Sequence, residues 1–306
     1  MKQNPFSLYD FLGYLIPGST LIYLYLILDN WSDKESTKNI ETVFESVSKY
    51  NFQEIFFFII VSYALGHLIS FISSISVEKY GNWKYGYPSK TVIGYKKKSY
   101  LIIKNKPLNW EQDSFLYEVE QIKTSRYLRN TGRIFLIFVL LPLVAIEFIF
   151  GTLLNFKNFY SKGLDDYLMT AIKTNTLLLL NSKGLSNSTT TTEKDLREID
   201  FNRIVHHYAF ENSKQHQFRM VNYVALYGFL RNLVLTFIIS FWYYFVISLN
   251  SINKELDVNW NAIWINLLLM FLSFIAFMAY MKFYRRYTLE GLMLIVVDEN
   301  IKPSTS

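Results

Sequence analysis

The sequence predicts an all-α membrane protein with four transmembrane helices, a re-entrant or interfacial broken helix and a mostly helical cytoplasmic region. The main observation is a set of four apolar stretches, at residues 11–28, 55–75, 229–249 and 262–281. Each is close to the roughly 20 residues that a helix needs to cross a hydrocarbon core, where a helix satisfies its own backbone. The composition agrees, because 51% of the 306 residues are hydrophobic and 18% are aromatic.

Charge placement predicts the topology. The segment 76–133 is rich in lysine and arginine, whereas the loop 29–54 holds more acidic than basic residues. Because cytoplasmic loops carry the excess of Lys and Arg, 76–133 is predicted to be cytoplasmic, and with it the N-terminus. The C-terminus is placed on the same side by the cations after the last span, Lys282, Arg285 and Arg286. We therefore expect a membrane protein with both termini in the cytoplasm.

A fifth apolar run, residues 134–154, is interrupted by Pro142 and carries Glu147 near its middle. A full crossing would leave the C-terminal cations outside, and a lipid-facing Glu147 would cost about 2.5–3.5 kcal/mol. A helix pair that starts and ends at the cytoplasmic face avoids both problems. The alternative is a true crossing matched by a second one through residues 168–180, which would put Lys173 in the membrane.

These assignments divide the chain into six segments. They are a first transmembrane helix pair with an acidic external loop (1–75), a basic cytoplasmic segment (76–133), the broken apolar segment (134–154), a second cytoplasmic segment (155–228), a second transmembrane helix pair (229–281) and a cytoplasmic tail (282–306). Within the basic segment, the Gly- and Tyr-rich residues 80–88 are predicted to be a loop.

The second span carries a small residue at every fourth position, with a histidine beside one of them. On a helix these residues share one face that lets another backbone approach closely. One interpretation is packing against the first span within one subunit. The other is a seam between subunits or a pore wall, because hydroxyls and a histidine also suit a wetted path. The residues concerned are Ser62, Gly66, His67, Ser70 and Ser74.

Pro17 and Gly18 lie inside the first span. Proline removes one backbone donor from a helix and thereby leaves a carbonyl without its usual partner. The pair predicts a kink, which is either static or a place where gating motion concentrates.

Cations alternate with aromatic residues in both cytoplasmic segments. Aromatic faces beside positive charge suit a nucleotide or a single-stranded nucleic acid. The competing interpretation is that these cations attract anionic lipid headgroups. The candidate ligand-binding residues are Tyr95, Lys96, Lys97, Lys98, Tyr100, Arg126, Arg129, Arg133, Arg203, His206, His207, Tyr208 and Arg219.

The sequence offers little for catalysis. Cysteine is absent, and the four histidines do not occur in a metal-binding spacing. Nucleotide-binding and nucleophile motifs are also missing. We expect no catalytic residue, no bound metal and no cofactor.

Three pieces of the chain resemble a group of bacterial membrane proteins. They are S-L-Y-D-F-L-G-Y-L-I-P-G at 7–18, G-N-W-K-Y-G-Y-P-S-K at 81–90 and N-Y-V-A-L-Y-G-F-L-R at 222–231. Some relatives of this kind are membrane effectors beside nucleotide-synthesising enzymes in anti-phage defence loci. The resemblance implies a homo-oligomeric channel, expected to be a tetramer, that a nucleotide or short single-stranded DNA signal controls from the cytoplasmic face.

Two hypotheses follow. The first is an oligomeric ion channel or pore-forming effector in which the second span lines or flanks the pore. The second is a non-conducting anchor or scaffold that recruits an operon-encoded cytoplasmic protein. Both require the lipid bilayer as a partner, and the first also requires further copies of the chain.

Overall fold

The structure, a computed structural model, describes residues 8–30, 45, 48–49, 51–95, 125–184, 196, 199–255 and 260–301. Every regular element within these residues is a helix, which confirms the predicted all-α class. The chain divides into two compact units. The first comprises Met1–Lys79, Val139–Phe156 and Ala225–Tyr280, and the second comprises Tyr80–Phe138, Lys157–Val224 and Met281–Ser306.

Three of the described helices contain a π-helical turn. Helix α1 (8–30) has its π-turn at Phe11–Leu15, ahead of Ile16–Asn30. Helix α2 (52–85) is built from Phe52–Ser73, a π-turn at Ser74–Glu78, and Lys79–Tyr85. The other helices are α3 (Pro88–Thr91), α4 (Ser125–Val139), α5 (Leu141–Glu147, extended by a π-turn at Phe148–Leu153), α6 (Asn158–Ser161), α7 (Asp166–Ser182), α8 (Phe201–Asn212), α9 (Lys214–Glu255) and α10 (Trp260–Val297).

The four predicted spans are confirmed as helices. Among the described residues, four helical stretches are long and apolar enough to cross a bilayer: Phe11–Asp29, Phe52–Thr91, Lys214–Leu249 and Trp260–Val297. Three of them are much longer than the apolar stretches in the sequence, since the helices continue through polar residues at their ends. Helix α2 starts at a capping box, in which Asn51 and Glu54 each accept a hydrogen bond from the other's backbone N–H, at 2.9 and 2.8 Å.

The break in the fifth apolar run is also confirmed. The segments Leu128–Val139 and Leu141–Leu153 form a sharply bent helix pair, with the break at Leu140. Pro142 lies in the first turn of α5, where its missing N–H costs nothing. Glu147 is fully buried in the first unit, close to Gly151, so its carboxylate does not face lipid.

Within the first unit, α1, α9 and α10 share a hydrophobic cluster. Its buried members are Leu28, Tyr244, Ala262 and Leu269. The Tyr243 hydroxyl donates a hydrogen bond to Asp29 at 2.7 Å, close to this cluster in the sequence. These contacts hold the C-terminal end of α1 against α9 and the N-terminal part of α10.

The second unit has its own hydrophobic core. Its buried residues are contributed by α7, α8, the C-terminal part of α10, the turn after α3 and one residue before α8: Val92, Ile93, Ile172, Leu179, Leu180, Leu196, Phe201, Val205, Leu292 and Ile295. Helix α7, the alternative second crossing, is not among the membrane-length helices of the described chain. Its apolar face packs into this core instead.

The prediction of a loop at residues 80–88 is wrong for most of that range, which is helical. Residues 79–85 continue α2, and Tyr80 is completely buried. The chain leaves the helix only at Gly86, whose φ of 81° lies in the left-handed region that favours glycine. Tertiary burial of the aromatic side chains outweighs the loop propensity of the glycines and prolines around them.

Candidate functional site

The backbones of α1 and α2 touch at two glycines. A Cβ added at Gly18 would lie 1.8 Å from the carbonyl oxygen of Ser62, and one added at Gly66 would lie 1.9 Å from the carbonyl oxygen of Tyr14. Contacts this close are possible only without a side chain. Ser62 and Gly66 therefore pack against α1 within one chain, as the first interpretation of the small-residue face describes.

The other two small residues of that face, Ser70 and Ser74, differ in how deeply they are buried. Ser70 is buried, whereas Ser74 is half-buried, and its hydroxyl donates to the carbonyl of Phe71 at 2.6 Å. The π-turn that begins at Ser74 adds a residue to the helical turn and so rotates the following side chains. The four small residues themselves precede this rotation and differ in burial, because Ser62, Gly66 and Ser70 are buried and Ser74 is half-buried.

His67 is exposed on the surface of the single chain. Its ring is stacked on Tyr14, with 3.8 Å between the ring centroids, and meets the ring of Tyr63 edge-on at 4.6 Å. In the sequence it lies near the midpoint of the apolar stretch 55–75. The surface of α1 and α2 therefore presents an imidazole near the middle of that apolar stretch.

A polar network, which the sequence did not single out, joins α2 to α9. Arg231 forms an ion pair with Glu78, donates from Nε to the Ser73 hydroxyl at 3.1 Å and from Nη2 to the Ser70 carbonyl at 3.4 Å. The Ser73 hydroxyl donates to Asn232 Oδ1 at 2.6 Å. Arg231, Ser73 and Asn232 are all buried. Buried charges are tolerated only when paired and hydrogen-bonded, a condition that this arrangement meets.

The same network extends to α1 through Asn232. Asn232 Nδ2 donates to the carbonyl oxygen of Gly13 at 2.7 Å. In a regular helix that carbonyl would accept from the N–H of residue 17, which is proline and has none. The Asn232 amide thus takes the place of the donor that Pro17 lacks, and the helix continues through Pro17 and Gly18.

A signal for this network is present in the sequence. Arg231 and Asn232 lie just inside the apolar stretch 229–249, and Glu78 lies three residues beyond the stretch 55–75. In the predicted topology both positions fall at the cytoplasmic end of their spans. An ionisable residue inside an apolar stretch predicts a partner of opposite charge at the same depth.

Part of the predicted ligand-binding set lies outside the described residues: Lys96, Lys97, Lys98, Tyr100 and the side chain of Arg126. The positions described are all in the second unit. Arg203 is 84% exposed and pairs with Asp200 at 2.9 Å. Arg219 pairs with Glu290 at 3.2 Å, and His216 approaches the same carboxylate at 3.0 Å.

Two further members of the set take part in partly buried contacts. The Tyr208 hydroxyl donates to Asp298 Oδ2 at 2.6 Å, a bond that lowers the pKa of Asp298, while burial raises the pKa of Tyr208 to about 12. His206 Nδ1 lies 3.0 Å from the Tyr287 hydroxyl. Burial, with a smaller effect from His207, lowers the pKa of His206 to about 4.

Two of the remaining described members, Arg133 and Tyr95, contact other side chains. The Arg133 guanidinium lies 4.5 Å from the centre of the Trp83 ring, and Lys173 Nζ lies 5.1 Å from that of Tyr95. Arg129 is half-buried. Its Nε has no hydrogen-bond partner in the described part of the chain, and His207 is exposed. The members of the set that have contacts are thus engaged by different neighbours, and these contacts do not gather the set into one ligand-binding surface.

We expect the stability of the protein to fall on acidification because of His206. The imidazole has an ordinary pKa of 6.5 and a folded-state pKa of about 4, so the unfolded state binds more protons between these values. Stability is therefore highest above pH 6.5 and decreases by on the order of 2 kcal/mol as the pH falls to about 4. Thermal unfolding of the purified protein across this range measures the slope. His206→Gln should flatten it, whereas His207→Gln, which removes only the smaller cause, should retain most of it.

Lys90 connects α3 to the segment before α8. Its Nζ donates to the carbonyl oxygens of Leu196 at 2.5 Å and Ile199 at 2.6 Å, and lies 4.6 Å from the centre of the Phe201 ring. We expect Lys90→Met to destabilise the second unit by about 2 kcal/mol, because two charge-assisted hydrogen bonds are lost. Limited proteolysis of the folded protein measures the change. Lys162→Met, at an exposed position, should leave the cleavage rate unaltered; equal rates for both variants would contradict this role.

The second unit contains a cavity of about 490 Å³. Tyr85 and Tyr160 form one wall, with 3.0 Å between their hydroxyl oxygens and their rings edge-to-face. Burial raises the pKa of Tyr160, so it remains protonated at neutral pH. Met169, Met281 and Arg285 also line the cavity, and Arg285 is the charged residue among its lining side chains.

The comparisons with known proteins found no relative: no protein family, no curated protein and no solved structure matches this chain. Its class is therefore defined by the helices themselves. Four helices of membrane-spanning length and composition, with a bent pair between them in sequence, make it a multi-span α-helical membrane protein.

Proposed function

We propose that the chain is one subunit of a homo-oligomeric ion channel of the bacterial inner membrane. The observation that carries the proposal is the exposed His67 ring at mid-span. A polar, ionisable side chain is costly against lipid at that depth and is normally found facing a bundle interior or a water-filled cavity. In the proposed oligomer, the surface formed by Tyr14, Tyr63 and His67 faces the other subunits and a wetted path between them.

The number of spans also favours assembly. Four helices that pack on one another leave no room for a conduit inside one chain, so a channel needs several copies around an axis. A tetramer is the stoichiometry that the sequence resemblance implies. Large apolar side chains of α2 that point away from α1, such as Phe57, Leu68 and Phe71, would contact lipid or a neighbouring subunit.

Gating is proposed to use the region around Pro17 and Gly18. The Gly13 carbonyl there is held by the Asn232 side chain rather than by a helical N–H. A change in the curvature of α1 at this point would break a side-chain bond rather than a backbone–backbone bond of the helix, so motion is proposed to concentrate there. A ligand that binds the open and closed forms with different affinity would shift the population between them.

The signal is proposed to be a nucleotide or short single-stranded DNA, sensed on the cytoplasmic face, and the biological role to be that of a membrane effector in anti-phage defence. The sequence resemblance supports both parts of this proposal. The cations and aromatic residues of the second unit supply a suitable chemistry.

Ion flux from proteoliposomes tests the channel. Purified protein is reconstituted into vesicles loaded with potassium, and efflux is followed with and without mononucleotides and short oligonucleotides. We expect efflux that depends on the protein and changes with at least one of these signals. Vesicles that stay sealed under every condition would refute the channel.

The anchor or scaffold remains the second candidate, and the separate hydrophobic core of the second unit favours it. A helical unit with its own core can present a stable surface to a cytoplasmic partner. This function predicts sealed vesicles in the efflux experiment together with capture of an operon-encoded protein by the membrane-bound chain.

A further inference from the structure

The cavity of the second unit contains a cation with an unused donor. Arg285 Nε is buried, and no acceptor in the described part of the chain bonds to it. A buried N–H without an acceptor is unfavourable, because it has lost its hydrogen bonds to water. The half-buried Arg285 side chain also lines the cavity, so a ligand there would contact the guanidinium through its other N–H groups.

The charges around the cavity favour an anion. Lys84 Nζ lies 5.8 Å from the centre of the Tyr85 ring in the cavity wall, and the charges of Lys84 and Lys157 repel each other. An anion in the cavity would be attracted by Arg285, which lines it, and at longer range by Lys84. The hydroxyls of Tyr85 and Tyr160 add polar atoms to the same wall.

The size and lining of the cavity define the ligand further. Its volume of about 490 Å³ is within the roughly 300–1,000 Å³ of small-molecule sites, which combine an apolar lining with a few polar groups. Met169, Met281 and the tyrosine rings give room for an apolar or planar body next to the anionic group.

We propose that this cavity binds a phosphate-bearing group, with Arg285 as the cation that contacts the phosphate. The planar guanidinium matches phosphate oxygens in pairs, and a phosphate brings more negative charge than a carboxylate to a region with several cations. The phosphate comes either from a soluble molecule such as a mononucleotide or from a lipid headgroup. The site deepens the proposed function, because it would be the place where the channel senses its ligand.

Binding to the full-length protein in phospholipid-free detergent tests the soluble source. The probes are inorganic phosphate and AMP, with adenosine as the matched compound without phosphate. We expect AMP to bind at least about tenfold more tightly than adenosine. Arg285→Gln should weaken AMP binding by about tenfold or more. Arg286→Gln, at the exposed neighbouring position, should leave the affinity unchanged.

The lipid source is tested by native mass spectrometry of the protein taken from nanodiscs of phosphatidylglycerol or phosphatidylcholine. Retention of phosphatidylglycerol by the wild type, and its loss in Arg285→Gln, would assign the phosphate to a lipid. Arg285→Lys retains the charge and loses the planar fork, so it provides a second variant if Arg285→Gln fails to fold. We expect it to weaken binding by a smaller factor.

Two results would overturn the site: no Arg285-dependent binding of AMP, inorganic phosphate or phosphatidylglycerol, or equal losses in Arg285→Gln and Arg286→Gln. These binding measurements do not depend on whether the protein conducts ions. A site that binds phosphate in a protein without ion flux would therefore refute the channel alone, and flux without Arg285-dependent binding would refute the site alone.

Discussion

Replacing Arg231 with leucine is expected to destabilise the first unit by about 3 kcal/mol. The substitution leaves Glu78 without its ion-pair partner and removes the donors that bond to Ser73 and to the Ser70 carbonyl. The shift in thermal unfolding of the detergent-solubilised protein measures the loss. Lys214→Leu is the matched control, because Lys214 is an exposed cation on the same helix, and it should change the midpoint little.

The double variant Arg231→Leu, Glu78→Leu separates a lost ion pair from a badly packed leucine. Replacing both partners removes the uncompensated charge, and apolar replacements of buried pairs are often close to neutral. We expect the double variant to recover a large part of the stability. A double variant as unstable as Arg231→Leu would show that the charge pair is not the origin of the effect.

The second large effect is expected for Gly66→Ala. The added methyl would lie 1.9 Å from the backbone oxygen of Tyr14, and a backbone atom cannot move aside as a flexible side chain can. Helix α1 would have to separate from α2, with an expected loss of about 3 kcal/mol. Gly18→Ala should behave in the same way, because its methyl would meet the Ser62 carbonyl.

Gly13→Ala is the matched control for this contact. The nearest atoms to a Cβ at Gly13 belong to the Tyr9 ring, at 3.8 Å, an ordinary van der Waals distance. Its thermal midpoint should stay close to that of the wild type. If alanine is tolerated equally at Gly66, Gly18 and Gly13, the close approach of the two backbones is wrong.

The helices that could be predicted are those marked by a pattern of neighbouring residues in the sequence. The four spans follow from long apolar stretches, and the break in the fifth follows from Pro142 in an apolar run. The end of α2 was missed, because its glycines and tyrosines read as a loop when the burial of Tyr80 is unknown. The packing of Gly18 against Ser62 could be expected from the small-residue pattern, although the pattern alone did not exclude a contact between subunits.

The functional residues were harder to predict because they depend on long-range contacts. The predicted ligand set follows from composition, and composition does not reveal that Arg203, Arg219 and Tyr208 each have a partner within the fold. Arg231 and Glu78 are 153 residues apart, so only the folded chain shows that they pair. Likewise, Tyr85, Tyr160 and Arg285 line one cavity but come from three segments that are far apart in the sequence, so the cavity is visible only in the folded chain.

The central claim, that the His67 surface faces a water-filled path in an oligomer, is tested most directly by cysteine accessibility. The chain contains no cysteine, so His67→Cys introduces a single thiol, and Leu68→Cys places one on the adjacent exposed surface. A charged, membrane-impermeant methanethiosulfonate reacts only where the thiolate meets water. We predict fast modification of His67→Cys, with a change in ion flux, and little reaction of Leu68→Cys; a His67→Cys thiol as unreactive as that of Leu68→Cys would contradict the account.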